Sequence, residues 1–163
     1  MSSSELHLIS KVIQEKDITI PVRLGVKPDH MTGEWAEIWR WMLEFYRTHG
    51  AVPTERVFVQ EHGAITLYDS TDETFTRLTE EIFDAYRKRC VMDALQPAIN
   101  SLNNDDVSAA VAALSSGLQK AAVETARSLT DYGSKGTTEA LITCAFVADM
   151  LQEVSARLLG RED

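Results

Sequence analysis

The stretch PDHMTGEWAEIWRWMLEFYRTHGAVPT, residues 28–54, decides the fold. It holds all three tryptophans of the chain, Trp35, Trp39 and Trp41, within one short helical pattern. Thr32 offers a side-chain oxygen to the free N–H groups of a first turn, so a helix is predicted to begin after it. Gly50 can take the left-handed conformation that ends a helix, and Pro53 cannot continue one. Between these ends Trp35, Ile38, Trp39, Met42, Phe45 and Tyr46 recur at steps of three and four. So large an apolar face has to be buried. The helix is therefore expected to anchor a core through Trp35 and Trp39, while Trp41 falls off the main stripe and is the candidate for an interface.

Helical periodicity extends through the rest of the chain. Residues 4–14 form a first helix with Leu6, Ile9 and Ile13 inward, and Ser2 with Glu5 reads as its capping box. Ile18, Ile20, Val22, Leu24 and Val26 alternate as a strand would, but Pro21 removes a ladder donor and Gly25 weakens the run, so a short irregular helix is expected instead. A further short helix spans 54–62 and stops at Gly63. Ser70 and Glu73 read as a capping box for the longest pattern, from Phe75 through Leu78, Ile82, Tyr86, Val91, Leu95, Ile99 and Leu102. Pro97 is expected to kink or split it.

Residues 103–106, Asn-Asn-Asp-Asp, supply a turn and a helix start together. Val107, Val111, Leu114, Leu118 and Ala121 then follow at heptad-like steps, and the short turn makes the two helices antiparallel. The small residues Ala109, Ala110, Ala112, Ala113, Ser115, Ser116 and Gly117 permit close helix approach within this hairpin or between two hairpins. Residues 129–138 read as a linker, and 139–159 as a helix apolar over most of its surface, in need of a partner. The expected fold class is all-α: a helical head (1–70), a long antiparallel hairpin (71–128), a linker (129–138) and a C-terminal apolar helix (139–163).

Composition narrows the function. A formal net charge of -9 disfavours direct binding to phosphate backbones. Cys90 and Cys144 have neither metal-ligand nor disulfide-framework spacing. Neither a secretory signal nor a run of about 20 apolar residues is present, so a cytoplasmic protein is expected. The sequence around Gly133, Ser134, Lys135 and Gly136 lacks the spacing of a phosphate-binding loop. His7, His30, His49 and His62 are scattered near helix ends. His62 beside Glu61 does not face one way with it, and Asp72, Glu73, Glu80 and Glu81 read as a solvated helix face. No catalytic residue, metal site or cofactor is expected. Arg87, Lys88 and Arg89, with Arg77 before them, stand out as basic against the acidic background. They read either as a salt-bridged helix face or, with Trp41, as a partner contact.

The order of short helix, PDHM turn, aromatic helix EWAEIWRWMLEFY, Gly-x-Val-Pro-Thr loop, short helix and hairpin resembles the N-terminal domain of DnaB-type replicative DNA helicases, particularly divergent phage-encoded forms. The resemblance covers about residues 5–128. It implies a helical head and a hairpin that pairs between subunits, building a dimer or a hexameric collar above RecA-like ATPase domains and docking a primase or helicase loader. It further implies that Leu95, Leu102, Val107, Val111, Leu114 and Leu118 form the hairpin and oligomer interface. Leu141, Phe146, Leu151, Val154 and Leu158 would be a linker helix packing on a neighbouring subunit, with DNA met only indirectly. The chain departs from that family in holding no ATPase domain. It is thus expected to be either a piece of a helicase or a stand-alone relative. Competing expectations are a helicase-binding adaptor, such as the helicase-binding end of a primase, and a helical metalloenzyme using Glu80, Glu81 and a histidine.

Overall fold

The computed structural model describes residues 4–69 and 72–131, and among these every regular element is helical. The order is α1 (Ser4–Glu15), α2 (Thr19–Arg23), a single 3-10 turn (Pro28–His30), α3 (Gly33–His49), α4 (Glu55–Glu61), α5 (Phe75–Asn103) and α6 (Val107–Asp131). The fold class is all-α. The chain divides into two compact units, Met1–Asp84 and Ala85–Asp163, and α5 begins in the first and ends in the second.

The core of the first unit is built on the tryptophan helix. Ile38, Trp39 and Met42 of α3 are buried with Leu8, Ile9 and Val12 of α1, Phe58 of α4, and Phe75, Leu78 and Ile82 at the start of α5. Trp39 is fully buried, whereas Trp35 is half-buried at the edge of the cluster. The Trp39 Nε1–H has no acceptor among the described residues. An unmet buried donor costs about 1–3 kcal/mol. Burial of a whole aromatic side chain is worth about 3–5 kcal/mol in truncation experiments, so the ring's packing outweighs its orphaned N–H.

Local chemistry departs from the expected caps in instructive ways. Thr32 holds the extended N-cap backbone of α3, but its side chain makes no capping bond. Its N–H and Oγ1–H both donate to Glu5 Oε1, at 2.8 and 2.9 Å, tying the helix start to α1 instead. Glu5 is thus drawn into a tertiary contact, and Ser2 lies outside the described residues. At the start of α5 the cap is Thr74, whose Oγ1 accepts the Arg77 N–H at 3.2 Å. Ser70 also lies outside the described residues. Segment 18–26 is helical around α2, as expected from Pro21 and Gly25, with Asp17 Oδ1 accepting from the Thr19 N–H at 2.8 Å and Oγ1–H at 2.6 Å. Those bonds hold the Asp17 carboxyl below its usual range.

Pro97 neither ends nor splits α5, which runs unbroken for 29 residues. Its ring sits on the exposed side, where water can satisfy the one carbonyl it leaves without a helical partner. In the PDHM turn, His30 is buried, accepts the Lys27 N–H at Nδ1 (3.1 Å) and meets Phe83 edge-on. Lys11, also buried, pairs with Glu15 and lies over the Phe75 ring.

Glu81 ties α5 to α1. The Ser4 Oγ–H donates to its Oε2 at 2.6 Å, and Arg77 Nε–H donates to its Oε1 at 3.2 Å. The Ser4 bond, aided by Arg77 and opposed by partial burial, holds this carboxyl below the ordinary value of 4.5. Because the folded state binds this proton more weakly, the contribution is full above the unfolded value and is lost as pH falls through the folded one. Ser4→Ala should therefore make thermal stability fall less steeply with acid below pH 4.5, as read by calorimetry across a pH series. Trp39→Ala should cost about 3–5 kcal/mol in urea denaturation followed by circular dichroism.

Candidate functional site

In the second unit α5 and α6 pack as an antiparallel pair joined by a tight turn. Asp105 adopts the left-handed conformation (φ 55) and Asp106 Oδ1 accepts the Ala109 N–H at 2.9 Å, so turn and cap are completed by consecutive aspartates. The Asp106 N–H returns to the Ser101 carbonyl at 2.9 Å, closing the end of α5.

Small side chains form the line of closest approach. Ala94, Ala98, Ala110 and Gly117 are buried there. A Cβ added to Gly117 would fall far inside van der Waals contact with Ala94 Cβ and 2.9 Å from the Cys90 carbonyl oxygen. The backbones are therefore as near as glycine permits. The large residues named from the sequence lie beside this line rather than on it. Leu102, Val107, Val111, Leu114 and Leu118 are half-buried, and Leu95 is 38% exposed.

At about 100° of rotation per residue, Val107, Val111, Leu114 and Leu118 occupy one flank of α6, and Val91, Leu95 and Leu102 one flank of α5. In an antiparallel pair those flanks fall on the same side. They make a single apolar face, bordered on its outer edge by Ile99 and Met92, 48% and 58% exposed. From Cys90 to Lys120 only Asp93 and the turn residues Asp105 and Asp106 carry charge before Lys120 itself. Charge depletion with exposed aliphatic residues is the compositional mark of an interface core. Sequence periodicity placed the large residues of α6 on the seam itself, whereas small residues make it. Ala110 and Gly117 stood among the small residues expected to permit close approach; Ala94 and Ala98 did not, because alanine satisfies a core and a surface position alike.

The other candidate residues are placed differently. Trp41 is half-buried in the first unit, where it meets Phe58 and His62 edge-on and Phe45 at a tilt, so it closes the α3–α4 packing. Arg87 and Arg89 are half-buried and engaged, Arg89 lying over the Tyr86 ring, while Lys88 is exposed. Arg77 bridges Glu73 and Glu81. Leu141, Phe146, Leu151, Val154 and Leu158 lie outside the described residues. Among the described residues no group of three or more His, Cys, Asp or Glu side chains could hold a metal ion, and no helix is long and apolar enough to cross a membrane.

Comparison with protein-family models, curated proteins and solved structures finds no match to this chain.

The helix crossing yields a test of sign. At an open helical position Gly→Ala stabilises by about 1 kcal/mol. Gly117→Ala should instead destabilise by about 1–3 kcal/mol, because the new methyl meets a backbone carbonyl that cannot rotate away. Adding Ala94→Gly should recover part of that loss in a double-mutant cycle read by urea denaturation.

Proposed function

We propose that this chain is an assembly and partner-docking domain of the kind found at the N-terminus of DnaB-type replicative helicases. In this reading it self-associates through the hairpin, as a dimer or a hexameric collar, and recruits a primase or helicase loader in the cytoplasm. It performs no catalysis of its own. The observation that carries the reading is the apolar, nearly uncharged face of the α5–α6 hairpin. The resemblance of residues 5–128 in element order, the all-helical fold and the head-then-hairpin arrangement agree with it. The acidic balance also favours a protein-docking role over direct contact with DNA.

Homotypic pairing suits this surface. A face with few charges gives no electrostatic preference for a partner of opposite sign, and heptad-spaced aliphatic residues interlock with a second such set. The α6 stripe Val107, Val111, Leu114 and Leu118 supplies the spacing and Leu95 with Leu102 the opposing wall.

Light scattering across about 1–100 µM tests this. The expected result is self-association above the 18.2 kDa monomer that Leu95→Glu with Leu114→Glu abolishes. A chain that stays at 18.2 kDa throughout, both as it is and with the C-terminal apolar segment disrupted by Leu151→Glu, Val154→Glu and Leu158→Glu, would overturn the reading.

A further inference from the structure

Three stripes of the chain share one spacing. Val91, Leu95, Ala98 and Leu102 of α5 follow at steps of four, three and four, and Val107, Val111, Leu114 and Leu118 of α6 repeat those steps. Beyond the described residues the sequence holds a third such set, Val147, Leu151, Val154 and Leu158. Asp149, Glu153 and Arg157 fall together on the opposite side of that segment if it is wound as a helix. Each stripe covers about 16 Å of helix at 1.5 Å per residue. Their match in period and length is that of three helices around one seam.

We propose that residues 141–159 cover the apolar face of the hairpin in their own chain and compete with a second copy for it. The competition rests on the assembly reading above; the covering does not.

Chain length and direction carry the proposal. Gly117 lies opposite Cys90 and Ala94, so the α5 and α6 stripes stand level with each other. α6 then continues to Asp131, about 20 Å past Leu118 at helical rise. A segment returning along the hairpin from residue 139 would bring Val147 level with Leu118 after about 12 Å, and Leu158 level with Val107. The seven residues 132–138 must therefore cover about 8 Å along the axis and about 10 Å between helix axes, well within the roughly 24 Å they can reach. Arg161, Glu162 and Asp163 follow soon after Leu158, so the apolar run finishes where the hairpin face does. A tether this short places the segment at millimolar effective concentration, on the order that favours its own face over a second copy at micromolar protein.

Cys144 lies on the same stripe, one step of three before Val147, and serves as a reporter in the natural chain. The experiment is iodoacetamide alkylation of the full chain, with Cys144 and Cys90 resolved by peptide mass spectrometry. Leu95→Glu with Leu114→Glu opens the face from the hairpin side, and Leu151→Glu, Val154→Glu and Leu158→Glu opens it from the segment side. Helical circular dichroism and its thermal unfolding, to which the long α5 and α6 contribute heavily, verify folding of the hairpin in each variant.

The expected result is alkylation of Cys144 at least about tenfold slower in the natural chain than in either variant, unchanged between about 1 and 50 µM protein. The segment variant should also self-associate at lower concentration than the natural chain. Equal Cys144 rates in all three proteins would overturn the covering. So would protection that appears only as concentration rises, because a second copy would then be the occupant. Protection of Cys144 with no association by any protein would keep the covering, remove the competition, and count against the assembly reading alone.

Discussion

The close approach at Gly117 is the constraint on which the second unit depends. With hydrogen as its side chain, the α6 backbone comes within reach of the Cys90 carbonyl and Ala94. Helices that near can be held by alanines alone, so the large aliphatic residues are not consumed in joining α5 to α6. They are displaced to one flank, where they form the half-exposed face. A leucine at 117 would push the helices apart and draw its neighbours inward to fill the gap. The exposed face therefore exists because the joint is made of small residues.

The two units manage their apolar groups differently. In the first, aromatic rings and aliphatic side chains from α1, α3, α4 and the start of α5 are packed around Trp39, and polar groups at the periphery are paired. Glu5 with Thr32, and Ser4 with Glu81 and Arg77, attach the N-terminal helix to its neighbours by charge-assisted bonds. In the second, small residues make the joint between α5 and α6, and among the described residues Met92, Leu95 and Ile99 stay exposed beside it.

Much of this was legible in the sequence. The tryptophan helix was plain because its stripe, its Gly50 stop and Pro53 agree, and Gly50 takes the left-handed conformation at φ 67. The hairpin was plain because two adjacent aspartates can both turn the chain and cap a helix. Cap partners were less legible. The Thr32 hydroxyl is turned to donate to the Glu5 carboxylate of α1 rather than to accept from its own helix, and no local pattern records a partner 27 residues away. Pro97 does not split its helix, one of the two outcomes expected of it. A proline costs a helix one hydrogen bond and a clash at the preceding turn, and packing along the rest of a 29-residue helix outweighs both. On the candidate site, Ala110 and Gly117 were legible as small residues that permit close helix approach, but Ala94 and Ala98, which line the same joint from α5, were not. Small residues leave no periodic trace in hydrophobicity.

The aspartates of the hairpin turn bear on symmetry. Asp105 and Asp106 are both exposed at the tip of an otherwise nearly neutral hairpin. Two hairpins laid face to face with their tips together would gather four carboxylates in one place. A two-fold axis perpendicular to the hairpins sets the tips at opposite ends and keeps those charges a helix length apart, beyond the screening length of about 8 Å at physiological salt. In the assembly proposed above, a turn chosen for its backbone geometry would thus also carry orientational information, favouring an antiparallel two-fold pair over a parallel one without any charge on the contact face itself.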